Sequence, residues 1–213
     1  MPVCTKPEHR RAYCAPVAFL LLWLFTSPVL AAGFSVQEVE TEQWTNRIYL
    51  SARITFDLSD EALKALESGV ALHLLLETEV LQKRRWLWDK RIATDELRYR
   101  LEHQALSNLY LVSHDDYNIR RTFRTLARAL DSIGKLNDYL LADISNLNPE
   151  NNYYGRLRAR LDIESLPAPM RPMAYISSQW RLTSPWYHWP LDLLDKLPAD
   201  PQREPLAGAE NHP

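Results

Sequence analysis

The sequence predicts a mainly β fold, an antiparallel two-sheet sandwich-like domain with two short helices, over residues 34–191. Three observations carry that expectation. Apolar and polar residues alternate with period two along much of the chain. The clearest case is Tyr153 to Ile163, where Leu157, Ala159, Leu161 and Ile163 interleave with Arg156, Arg158, Arg160 and Asp162. Successive strand side chains point to opposite faces, so this spacing makes one apolar face and one charged face. Turn compositions such as Thr45-Asn46 and Asn148-Pro149-Glu150-Asn151-Asn152 separate such runs. A helical stripe appears in only two short stretches, so the count is about ten strands and two helices.

Residues 1–31 read as a signal peptide. Arg10 and Arg11 form a basic start, Ala15 to Leu30 is almost wholly apolar, and Val29-Leu30-Ala31 puts small residues where a signal peptidase cuts. A spanning helix needs about 20 apolar residues. This run is shorter and holds Pro16 and Pro28, so export with cleavage is expected, the alternative being an N-terminal anchor in the inner membrane. Both cysteines, Cys4 and Cys14, fall inside the signal, and the mature protein is expected to have no disulfide, thiol nucleophile or thiolate metal site. Its roughly 180 residues suffice for one domain with a sizeable core.

Phe34 to Trp44 is weakly patterned, and Thr45-Asn46 turns it into a strand in which Ile48, Leu50, Ala52, Ile54 and Phe56 alternate with polar residues. A short helix follows, capped by Ser59 or Asp60, striped by Leu63 and Leu66, and stopped by a left-handed Gly69. Ala71 to Leu81 reads as a central strand. Gln82-Lys83-Arg84-Arg85 reads as a turn into a strand over Trp86 to Ala93, and Leu97 to His103 as another. Leu109 to Ser113 and Ile119 to Arg124 flank a turn at His114-Asp115-Asp116-Tyr117-Asn118. A second helix covers Leu126 to Ile133 and stops at Gly134, and strands follow over Tyr139 to Asn146 and from Tyr153. After the Leu166-Pro167-Ala168-Pro169 connector, Ile176, Trp180 and Leu182 read as core positions of a last strand. Residues 192–213 form a Pro-rich polar tail expected to be disordered. The strand–helix–Gly–strand pattern after Phe56 recurs after Phe123, which is either a duplicated unit or an ordinary Gly-stopped helix.

Candidate chemistry is sparse. Without Lys6, Arg10, Arg11 and Glu8, the 25 basic and 27 acidic residues become 22 and 26, a net charge of −4 that gives no reason to expect nucleic acid. No Gly-rich phosphate loop, Gly-x-Ser-x-Gly elbow or His-Glu-x-x-His pair is present, and five glycines leave little for a loop hugging a cofactor. No cofactor, catalytic residue or metal site is assigned. His114-Asp115-Asp116 has metal-ligating groups, but that composition is what a turn selects. His73 and His103 lie in apolar strands, where core histidines are the default. Glu77 and Glu79 share a strand face about 7 Å apart, a spacing that suits an inverting hydrolase and also any solvated strand, here with Lys83, Arg84 and Arg85 close enough to neutralise them. Trp86 and Trp88 share a face, Trp180 reads as core, and Trp186 and Trp189, beyond the regular strand, either are binding residues or fill the core and close the last strand. The ladder Arg156, Arg158, Arg160 is a second candidate, either for an anionic ligand or as a solvated face.

Several blocks together resemble the bacterial family called domain of unknown function 4390 (DUF4390). They are Leu50-Ser51-Ala52, Phe56-Asp57-Leu58-Ser59, Arg84-Arg85-Trp86-Leu87-Trp88-Asp89, Arg158-Ala159-Arg160-Leu161-Asp162, Leu166-Pro167-Ala168-Pro169 and Trp180-Arg181-Leu182-Thr183-Ser184. The resemblance implies a Gram-negative envelope protein, brings no catalytic residue with it, and carries an association with a membrane sensor kinase. The expectation is therefore an exported, periplasmic binding or sensing module with an envelope or membrane protein as partner and peripheral membrane contact in play. The alternative is a hydrolase of a cell-wall glycan or lipid headgroup acting through Glu77 and Glu79. An outer-membrane barrel is disfavoured by the many charges on outward faces.

Overall fold

Ile48, Leu50, Ala52, Ile54 and Phe56 are buried while the residues between them are not, so the alternation read in the sequence becomes a strand with one dry face. The computed structural model describes residues 33–114, 119–148 and 150–193. The signal peptide read over residues 1–31, the Asp115 to Asn118 part of the His114 turn and nearly all of the tail lie outside the described residues.

Nine strands are described: β1 (Phe34–Trp44), β2 (Arg47–Phe56), β3 (Leu72–Gln82), β4 (Lys90–Gln104), β5 (Leu109–His114), β6 (Ile119–Phe123), β7 (Lys135–Asp143), β8 (Tyr153–Leu161) and β9 (Tyr187–Leu191). They form two antiparallel sheets, one ordered β1-β2-β7 and the other β6-β5-β4-β3-β8-β9. The fold is the two-sheet sandwich that the sequence predicts. Its core lies between the sheets, where Leu50, Ile54 and Phe56 from the smaller one share a single apolar cluster with Leu72, Leu74, Leu76, Val80 and Leu157 from the larger.

Three α-helices join the strands: α1 (Asp60–Glu67), α2 (Leu126–Gly134) and α3 (Arg171–Ile176). Ser59 caps α1 by accepting the Ala62 N–H at 3.2 Å, and Gly69 ends that turn at φ +87°. α2 ends differently. A Cβ built on Gly134 would stand 2.1 Å from the Ile54 carbonyl oxygen, so the glycine is there to let the helix end meet the β2 backbone. The two strand–helix–Gly units therefore end by different means. They also feed different sheets, α1 into β3 and α2 into β7.

Four expectations are corrected. Trp86 to Asp89 is a loop; β4 starts at Lys90 and runs unbroken to Gln104, uniting two expected strands. β7 starts at Lys135, directly after α2, and ends at Asp143, where Ile144–Asn146 is a 3-10 turn. A third helix, α3, precedes the last segment. Ile176 is therefore 77% exposed at the helix end, while Trp180 is buried as expected, from a 3-10 turn at Ser178–Trp180. These changes leave nine described strands where about ten are expected.

Candidate functional site

Period-two spacing puts Glu77 and Glu79 on the outer face of β3, and Arg156, Arg158 and Arg160 on the outer face of β8. The antiparallel register sets Glu77 opposite Arg158 and Glu79 opposite Arg156. Arg156 Nε donates to Oε2 of Glu79 at 2.7 Å, and Arg158 Nε donates to Oε2 of Glu77 at 2.9 Å. Arg160 Nε reaches diagonally to Oε1 of Glu77 at 2.5 Å, so one carboxylate holds two guanidinium groups. On the other flank, Arg91 lies 3.2 Å from Glu79 and Arg160 extends to Glu96 on β4 at 3.6 Å. The expected neutralisers Lys83, Arg84 and Arg85 are replaced in these contacts by arginines of β8 and β4. The sequence signal was available: two acids at i, i+2 on one strand match three bases at i, i+2, i+4 on another.

The acids are largely covered, with side-chain exposures of 15% for Glu77 and 9% for Glu79, while the β8 arginines keep between a fifth and a third of theirs. Burial pushes the Glu77 carboxyl up. The hydrogen bonds and charges of Arg160 and Arg158 outweigh that and hold it below its ordinary value of 4.5. A hydrolase acid needs the opposite shift, because it must still carry a proton at neutral pH. Leu75 also faces outward yet has no exposure; its register partners on the two flanking strands are Arg98 and Arg160.

Trp186 sits over this ladder. Its ring lies 4.3 Å from Arg156 Cζ and 4.4 Å from Arg158 Cζ, within the roughly 6 Å at which a guanidinium gains from an aromatic face. The ring is half-buried. Trp189 departs from the binding expectation and takes the core alternative: it lies on the inner face of β9, opposite Gly155, and is buried at 8% exposure. A Cβ on Gly155 would come within 2.3 Å of the Trp189 ring, so the glycine provides the space that the indole fills. The three arginines and Trp186 thus form one assembly, with Trp189 on the opposite side of the sheet.

A protein-family model described as "Domain of unknown function (DUF4390)" matches residues 31–190, from just before β1 to the penultimate residue of β9. The chain belongs to the DUF4390 family. No curated protein and no solved structure matches it.

The DUF4390 domain has two further surface features. The first is the loop between β3 and β4, where Trp86 is 89%, Leu87 66% and Trp88 92% exposed. Its base is pinned. Asp89 accepts the Tyr154 hydroxyl at 2.7 Å and the Arg84 N–H at 3.0 Å, and these two bonds hold its carboxyl below the usual range. The Lys83 N–H donates to the Asn152 carbonyl at 2.8 Å. The second is a groove. The larger sheet extends past the smaller, and the space between β7 and the inner face of β4, β5 and β6 is about 570 Å³. Leu97, Val112 and Leu136 line it, with Ile119 and Leu140 half-exposed at its rim.

The histidines do not assemble into a site. His73 faces outward on β3 and His103 inward on β4, where it stacks against Tyr110 and meets Asn108 Oδ1 at 3.1 Å. His114 is buried in a T-shaped contact with Tyr99, ring centroids 4.7 Å apart. Among the described residues, no group of three or more His, Cys, Asp or Glu is placed to hold a metal ion.

Proposed function

We propose that this chain is an exported, non-catalytic interaction module of the bacterial cell envelope, and that it binds a protein partner along the open side of its sandwich. The observation that carries this reading is the groove between β7 and the overhanging β4-β5-β6 surface. β7 ends its sheet, so one row of its backbone groups has no neighbouring strand among the described residues, and Leu140 and Ile119 present apolar surface beside it. An extended segment of a partner gains main-chain hydrogen bonds at such an edge and side-chain burial in the adjoining groove. Asp138 at φ +49° interrupts the edge, which protects it from indiscriminate strand addition and demands a partner that fits the irregularity.

The state of Glu77 favours this reading over a hydrolase, since a doubly paired carboxylate with a lowered pKa makes a poor proton donor. The periplasmic location belongs to the proposal and rests on residues 1–31; N-terminal sequencing of the protein recovered from the envelope tests it. No helix among the described residues is long and apolar enough to cross a membrane. The membrane sensor kinase implied by the family resemblance is the first partner to try.

The test is a photo-crosslinker placed at position 140 or 119 in the full chain within intact cells, with position 40 on β1 as control. A discrete adduct with an envelope protein from the groove positions and none from position 40 is expected. Adducts from neither groove position, or equal adducts from all three, would overturn the proposal.

A further inference from the structure

The loop at Trp86, Leu87 and Trp88 is a second surface, independent of the groove. Three consecutive large apolar side chains stand in water at the tip of a hairpin, and single exposed apolar residues are ordinary where such a cluster is not. The loop is held out from the fold. Asp89 ties its two limbs together by accepting the Arg84 N–H and ties the loop to β8 by accepting the Tyr154 hydroxyl, and Lys83 is bonded to Asn152 at its foot.

The residues around the tip are basic: Lys83, Arg84 and Arg85 precede it, Lys90 and Arg91 follow, and Asp89 is the single acid. Arg91 is engaged by Glu79, whereas Lys83, Arg84, Arg85 and Lys90 are exposed. This concentration of positive charge stands out on a chain whose formal net charge is −2. A convex aromatic tip with a lysine and arginine collar matches the interfacial zone of a bilayer, where indole rings settle at headgroup depth and cations meet lipid phosphates. A protein partner fits less well, because protein interfaces are depleted in lysine.

We propose that residues 83–90 form a lipid-surface anchor, with Trp86, Leu87 and Trp88 entering the interfacial layer of a bilayer that contains anionic phospholipid, and Lys83, Arg84, Arg85 and Lys90 contacting its phosphates. The anchor holds the domain against a membrane surface without a spanning segment and leaves the groove unoccupied.

The test is co-sedimentation of the protein as isolated from the envelope with vesicles of phosphatidylethanolamine and phosphatidylglycerol, and with purely zwitterionic phosphatidylcholine vesicles. Two variants run beside it: Trp86→Ser with Trp88→Ser, and Lys83→Gln, Arg84→Gln, Arg85→Gln with Lys90→Gln. All changed side chains are exposed, so unchanged thermal unfolding is the control for folding. The parent is expected to bind the anionic vesicles in preference to the zwitterionic ones, and less as salt rises. Each variant should lose about tenfold in partitioning. Failure of the parent to bind anionic vesicles, or binding of either variant as tight as the parent's, would overturn the proposal. The second result would also follow if residues 1–31 or another surface made the contact.

Discussion

Arg160 donates to Glu77 one step off its own register. The residue directly across from Glu77 is Arg158, and Arg160, which pairs with Leu75, crosses diagonally to take the second carboxylate oxygen at 2.5 Å. Both oxygens of Glu77 are thereby occupied by guanidinium donors from one strand. The acid acts as a clamp between β3 and β8, and its proton affinity falls as a result.

Replacing Glu77 with glutamine should destabilise the domain by about 2 kcal/mol near neutral pH. Two arginines lose a charged acceptor, and the loss stays below that of a fully buried pair because they keep a third of their surface in water. The pH dependence has a definite sign. The folded-state pKa lies below the ordinary 4.5, so the unfolded chain takes up the proton first. The contribution is full above about 4.5 and is lost as pH falls through the lower folded value. Urea unfolding of parent and Glu77→Gln should converge as pH falls below the ordinary 4.5 and through the lower folded value. A gap that stays constant over that range would show that Glu77 is not the titrating clamp.

Trp186→Ala should cost about 1 kcal/mol, a fall in Tm of roughly 2–4 °C, since two partly exposed guanidinium groups lose one aromatic face. Trp186→Phe should fall between the two, because the smaller ring keeps part of the attraction. If phenylalanine is no better than alanine, the ring contributes by covering surface and the cation contact adds nothing.

The alternation in β2 and β8 made both strands legible, because one face of each is dry and the other wet. β4 was harder. Residues 94–96 fall between two expected strands and have polar groups on both faces, with Glu96 turned to the Arg160 side and Asp95 to the groove, so no period joins the two. The pinned loop before it carries Trp and Leu, residues that read as strand, and only the Asp89 contacts show otherwise. Arg156, Arg158 and Arg160 were legible as a ladder, and Glu77 and Glu79 as a pair. That they meet depends on β8 lying beside β3, a neighbour relation spanning about 80 residues that local pattern does not encode. Trp189 stays open between surface and core in the sequence for the same reason, since its place is set by Gly155 on the adjacent strand.

Gly155→Ala should destabilise by about 1–3 kcal/mol. The added methyl would stand 2.3 Å from Cζ2 of Trp189, and the indole can move only into a packed core. Trp189→Ala should cost about 3–5 kcal/mol by leaving a cavity at that place. Trp86→Ala, from a fully hydrated site, should fall within about 0.5 kcal/mol of the parent. Chemical unfolding of the three variants ranks them, and a neutral Gly155→Ala would show that the ring does not rest on the glycine.

Ser59 does two jobs from one buried oxygen. It accepts the Ala62 N–H at 3.2 Å as the cap of α1, and it donates its own proton to the Gln179 carbonyl at 2.7 Å, tying the helix to the Trp180 turn. Aspartate is ordinarily as good a cap as serine, so at a simple helix start Ser59→Asp would be neutral. Here the ionised aspartate has no proton to give and would set a carboxylate against a carbonyl oxygen out of reach of water. Ser59→Ala should cost about 1–3 kcal/mol, and Ser59→Asp at least as much at neutral pH. The aspartate variant should recover stability on acidification, because a protonated carboxyl can again donate to Gln179. An aspartate variant as stable as the parent at about pH 7 would mean that the bond to Gln179 contributes nothing, and that α1 and the Trp180 turn are held together by apolar contact alone.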